Sequence, residues 1–180
     1  SEDWFHSLGV RNHRAAHAAL ARIAQSGLTL DLAAQMCGQL EEILPAIGNA
    51  DMAISNLERF VSASRNPLAL GTFWERDHQA LETLLNIFAT SQHFSDLLLE
   101  HPESLDLLRM TEGQPTSRQQ LVDEFTSEVT ALADDEDALA ALGQLIQRER
   151  LRIVYGDIVH HQPIETVTLQ VSSLAEAICE

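Results

Sequence analysis

Glu149 is the residue of this chain whose spacing most demands a chemical account. It stands three residues after Ile146 and four before Ile153, so on a helix it projects from the apolar side, where an unpaired carboxylate is costly. A cation has to answer it. Arg152 lies one helical turn on, and Arg59, in the stretch NLERF, is a candidate from another helix. The pattern reads as a structural ion pair of Glu149 with Arg152 or Arg59, not as a catalytic acid. Arg148 and Arg152 also form a basic stripe that could dock an anion or an acidic surface; pairing with local acids such as Asp157 is the preferred reading.

Other residue patterns invite metal chemistry and do not complete it. His13 and His17 are four apart, the spacing of two ligands on one helix face, but Arg14 stands where a metalloprotease helix carries its glutamate. They read as structural histidines. His160 and His161 mark a fraying helix end. The string Asp134 to Asp137 could offer oxygens to Mg²⁺, yet consecutive residues splay around a helix, and acids at a helix start are favoured by the dipole. Cys37 and Cys179 lack a CxxC spacing and read as reduced core cysteines. There is no nucleophile constellation, phosphate-binding glycine loop or dinucleotide fingerprint, and Gly143 and Gly156 are isolated glycines within helical sequence. No catalytic, cofactor-binding or metal-binding residue is assigned.

These residues are carried by helices. The five prolines, at 45, 67, 102, 115 and 163, all fall outside stretches of helical periodicity and so mark boundaries. Helices are expected over Arg11 to Gln25 and Thr29 to Leu44, then from an Asn49 N-cap with Ala53, Leu57, Phe60 and Val61 on one face. A Thr72/Glu75 capping box is expected ahead of Trp74, Leu81, Leu84, Leu85 and Phe88; Ser91 caps a short helix, and Pro102 opens another bearing Leu105 and Leu108. A Ser117/Gln120 box starts a helix with Leu121, Phe125, Val129 and Leu132. The acidic cluster opens a long amphipathic helix with Leu139, Leu142, Ile146 and Ile153, and Pro163 starts the last, with Val167, Val171, Leu174 and Ile178 spaced for burial. The expected fold is all-α, an irregular bundle of about eight helices forming a single domain or arm over residues 1–180.

Composition agrees with a folded core. Apolar residues make up 45% and charged ones 21%, values ordinary for a globular protein. The formal charge of −16 repels phosphate backbones and anionic membranes, so nucleic acid is excluded as an expected partner. No apolar run approaches the roughly 20 residues of a membrane span, and the start lacks a secretory leader, so a cytoplasmic location is expected.

Three stretches together carry a resemblance. They are NADMAISNLERFVSAS at Asn49 to Ser64, LETLLNIFATSQHFSDLLLEHPESLDLL at Leu81 to Leu108, and the region LIQRERLRIVYGDI…SLAEAI from Leu145 to Ile178. In this order and spacing the chain resembles the helical segment preceding a nucleotidyltransferase core in the bifunctional glutamine synthetase adenylyltransferase/deadenylylating enzymes. NLERF and the leading helices look more like the first, deadenylylating half. The resemblance implies a parent enzyme that uses ATP and Mg²⁺, acts on glutamine synthetase and answers to the PII signalling protein. It also implies a glycine-rich turn and Asp-x-Asp carboxylates, which these 180 residues do not contain; Asp134 to Asp137 do not match them. The expectation is a non-catalytic helical fragment of a longer multidomain enzyme, inactive alone. The alternative is a free-standing helical interaction module; the apolar ending Leu174, Ala175, Ile178, Cys179, with no helix stop signal, favours the expectation of a piece of a longer chain.

Overall fold

A computed structural model describes residues 2–102 and 104–180. Glu103, inside the Leu81 to Leu108 stretch quoted above, lies outside the described residues. The described residues are helices joined by short turns, an all-α fold without strands. Their contacts group into two compact units, residues 1–102 and 103–180.

The first unit contains α1 (Glu2–Ser7), α2 (His13–Gln25), α3 (Leu30–Ile43), a 3₁₀ turn (Leu44–Ala46), α4 (Ala50–Ala63), α5 (Pro67–Arg76), α6 (His78–Thr90) and α7 (Gln92–Glu100). Helix α4 is its centre and packs on α2, α6 and α7. Side-chain caps set the boundaries: Asn12, Thr29, Asn49, Asn66 and Asp77 each accept a hydrogen bond from a backbone amide in the first turn of the helix that follows.

The expected Thr72/Glu75 capping box is corrected here. Thr72 sits inside α5, and its hydroxyl donates to the Leu68 carbonyl at 3.0 Å. Asn66 starts that helix with Pro67 in its first turn, and Asp77 starts the next. Two helices therefore stand where one was expected, and together with the short α1 they raise the number of elements above eight. Ser91 does hold the N-cap position of α7, but its side chain makes no cap bond.

The second unit contains α8 (Ser104–Thr111), α9 (Arg118–Thr130), α10 (Asp135–His160) and α11 (Ile164–Ile178). Helices α9, α10 and α11 pack on one another, and α8 packs on α10. Their core gathers Leu121, Phe125, Leu145, Ile153, Leu174 and Ala177. Ser117 and Gln120 form the reciprocal capping box of α9, and Asp134 caps α10.

Helix α10 is not amphipathic along its length. Its first ten residues are largely exposed, with Leu139 70% accessible, whereas from Leu145 to Gly156 it is buried on several sides. Periodicity cannot report this, because a helix covered all round has no single apolar stripe. Val171 and Ile178, expected to be spaced for burial, are also exposed, and Leu132, expected on α9, lies beyond its end at Thr130 and is exposed. Among the described residues no helix is long and apolar enough to cross a membrane.

Candidate functional site

The NLERF stretch is spent on packing. Leu57 is fully buried, Phe60 lies 5.7 Å from Phe88 at a 60° tilt, and Glu58 pairs with Arg22 at 3.0 Å. The buried Asn56 amide donates to the Phe88 carbonyl at 3.2 Å and exchanges hydrogen bonds with the Gln92 amide. Arg59 donates to Asp96 at 2.7 Å and to Asn56. Arg59, one of the two cations suggested for Glu149, is engaged by Asp96 within its own unit.

Arg59 and then Gln92, both donating to Asp96, hold its carboxyl below the ordinary 3.8. A lowered value means the contribution is present above the ordinary carboxylate range and is lost as pH falls through the lowered one. Asp96→Asn is therefore expected to flatten the acid limb of the stability curve, with a small loss at neutral pH that disappears as pH falls through and below the ordinary carboxylate range. Denaturant melts across that range check it; an unchanged acid limb would contradict the assignment.

In the second unit, Arg152 is the hub. Its Nε donates to Glu149 Oε2 at 2.7 Å, and both residues are only 5% exposed. Its Nη1 donates to the Gln114 carbonyl at 2.5 Å and to Gln170 Oε1 at 2.7 Å. Gln170 in turn donates to Gln162 Oε1 at 2.7 Å, and Gln162 donates to the Gly113 carbonyl at 2.9 Å. A continuous polar chain thus ties α10 and α11 to the turn after α8. Arg148 donates to Glu124 on α9 at 2.5 Å, the local acid it takes in place of the suggested Asp157, and stands 3.9 Å from Glu149.

These charges line a pocket of about 260 Å³ with Leu108, Thr116, Glu124, Arg148, Glu149 and Arg152 among its walls. Two guanidiniums face two carboxylates, so the lining is electrically balanced, and the arrangement fixes helices rather than activating a nucleophile. Sequence reasoning missed Gln162, Gln170 and the Gly113–Gln114 turn. Gln170 carried a usable signal: it interrupts the buried series Val167, Gln170, Leu174, Ala177, as Glu149 interrupts its own.

Gly113 holds φ +63°, and a Cβ there would lie 2.8 Å from both Cα and N of Gly156. The bare Gly113 lets the turn approach the α10 backbone, and a Cβ at Gly156 would lie 2.7 Å from the Gln162 side chain, so Gly156, isolated in the sequence, makes room for Gln162. Gly113→Ala is expected to destabilise the unit by about 2 kcal/mol, from the left-handed backbone and a clash that no side chain can relieve. Urea denaturation measures it; a loss below a few tenths of a kcal/mol would contradict the close approach.

The remaining candidates have structural surroundings. The His13 ring stacks on Phe5 at 5.9 Å, and that of the exposed His17 meets Phe5 edge-on at 6.3 Å. His160 packs against Tyr155, and His161 is the left-handed residue that ends α10. Asp134 caps α10 and Asp135 to Asp137 form its first turn; among the described residues no three His, Cys, Asp or Glu side chains gather to hold a metal ion. Cys37 is half-buried, and burial, then Glu41, pushes its thiol up, away from nucleophilic use at neutral pH. Cys179 is exposed, correcting its placement in the core.

Comparison with known proteins adds what this geometry lacks. The family model described as glutamate-ammonia ligase adenylyltransferase matches residues 81–180, more than half of the chain. The chain belongs to that family. A bifunctional glutamine synthetase adenylyltransferase/adenylyl-removing enzyme of Mannheimia succiniciproducens is 34% identical over 104 residues, 56% of this chain and 11% of the relative. The chain therefore spans about a tenth of that relative's length. No solved structure matches it. For the adenylyltransferase family, the matched region holds α10, α11 and the whole Arg152 network.

Proposed function

We propose that this chain is a non-catalytic helical part of a longer cytoplasmic enzyme that adds AMP to glutamine synthetase or removes it, and so regulates nitrogen assimilation. The observation that carries the reading is the family match over residues 81–180. The name and length of the Mannheimia relative support it, since the similarity takes up only a small share of that bifunctional enzyme. ATP and Mg²⁺ chemistry is assigned to parts of the parent enzyme outside these residues: Asp134 to Asp137 are spent at the start of α10 and do not converge. The role of the helices is to shape access for glutamine synthetase and to relay control, with the PII signalling protein as the regulatory partner. The first unit, with its NLERF helix, is assigned to the deadenylylating half.

Purified chain, incubated with glutamine synthetase, labelled ATP and Mg²⁺, is expected to transfer no label, whereas a polypeptide translated from the extended parent reading frame does. Labelling by the 180 residues alone would overturn the non-catalytic assignment. A parent frame lacking a glycine-rich turn and Asp-x-Asp downstream would overturn the enzyme reading.

A further inference from the structure

The paired charges of the second unit leave hydrogen-bonding capacity unused. Arg152 spends its Nε on Glu149 and its Nη1 on Gln114 and Gln170, and among the described residues its Nη2 meets no acceptor. Glu149 spends Oε2 on Arg152, while the nearest cation to its Oε1 is Arg148 at 3.9 Å, too far for a hydrogen bond. Among the described residues, the side-chain atoms sealed away without a partner are Gln39 Oε1 and Trp74 Nε1. The free edges of Arg152 and Glu149 therefore keep accessible surface, although each side chain is only 6% exposed. The space that both residues line is the pocket of about 260 Å³.

That pocket selects by charge and by size. Arg148, whose Nη2 is taken by Glu124, brings a second guanidinium to it. A simple anion would meet the carboxylates of Glu149 and Glu124 on a chain of formal charge −16, and a simple cation would meet the two guanidiniums. A molecule bearing both charges satisfies both edges at once, its carboxylate accepting from the arginines and its ammonium donating to Glu149 Oε1. The volume lies below the roughly 300–1,000 Å³ of pockets for drug-sized ligands, so the occupant is a single small molecule. Leu108, Thr111 and Thr116 line the remainder, and the Thr111 hydroxyl is spent on the Leu108 carbonyl at 3.2 Å. A polar side chain would be desolvated there with little in return, whereas an aliphatic one is favoured. We infer that this pocket binds a free α-amino acid with a small aliphatic side chain, its carboxylate on Arg152 and Arg148 and its ammonium on Glu149.

Calorimetry of the 180-residue protein with L-leucine is expected to show one-to-one binding. Leucine amide, which lacks the carboxylate, and 4-methylpentanoate, which lacks the ammonium, are expected to bind about tenfold or more weakly. Arg148→Gln removes a guanidinium from a side chain that is 32% exposed, and is expected to weaken leucine about tenfold while hydrogen exchange of α8 to α11 stays unchanged. Thr116→Phe, which fills the pocket from a half-buried position, is expected to abolish binding. Absence of binding at millimolar leucine overturns the proposal, as does equal binding of either one-charge analogue. Unweakened leucine binding to both variants places the ligand elsewhere and overturns it too. None of these outcomes touches the labelling of glutamine synthetase, so the pocket and the parent activity are tested separately.

Discussion

Arg152→Ala is expected to destabilise the unit formed by residues 103–180 by about 3–5 kcal/mol, a large share of what holds such a unit folded. Glu149 would keep a buried carboxylate without its 2.7 Å partner, and the Gln114 carbonyl and the Gln170 side chain would each lose a donor. The loss comes from stranding these groups more than from the worth of the pair, because two buried ions are desolvated whether or not they attract each other. The double change Glu149→Leu with Arg152→Met is therefore expected to cost less than Arg152→Ala alone. Hydrogen exchange followed by mass spectrometry measures both, with the loss appearing in the amides of α8 to α11. If the single change left protection there within a factor of about 5, equivalent to roughly 1 kcal/mol, the hub role of Arg152 would be wrong.

Phe88→Ala is expected to cost the unit formed by residues 1–102 a similar 3–5 kcal/mol. Phe88 is fully buried on α6, its ring meets Phe60 of α4, and its carbonyl receives the Asn56 amide. Truncation would open a cavity between the two helices that pack most extensively in that unit and remove an aromatic pair worth about 1 kcal/mol. Phe88→Leu, which keeps most of the volume, is expected to lose less than half as much. Both tryptophans, Trp4 and Trp74, lie in this unit, so tryptophan emission against urea reports it directly. Equal midpoints for Phe88→Ala and the unaltered chain would show that the α4–α6 contact does not limit stability.

The asymmetry between the two predictions follows from how each residue was legible. Phe88 and Phe60 belong to apolar series at helical spacing, and burial of such series is what periodicity reports. Glu149 was legible as an interruption of one, and its Arg152 partner lay within one turn. Gln170 was readable only as an interruption of the buried α11 series, and Gln114 and Gln162, which lie outside the helices, could not be read at all, because glutamines are ordinary on surfaces. Thr72 and Glu75 satisfied a capping pattern that Asn66 and Asp77 pre-empted, since a local motif forms only where the chain has left the helix.

Near neighbours along the chain were enough to read the helical class, the proline-bounded segments and the Asn49 and Ser117 caps, and the order of three longer stretches carried the family resemblance. The grouping into two units, the choice of Asp96 for Arg59, the burial of α10 on several sides and the exposure of Val171 and Ile178 on α11 came from contacts between segments distant in the chain. Spacing along a helix says which residues share a face. Which face is covered depends on distant segments, and on whether their packing excludes water from that face.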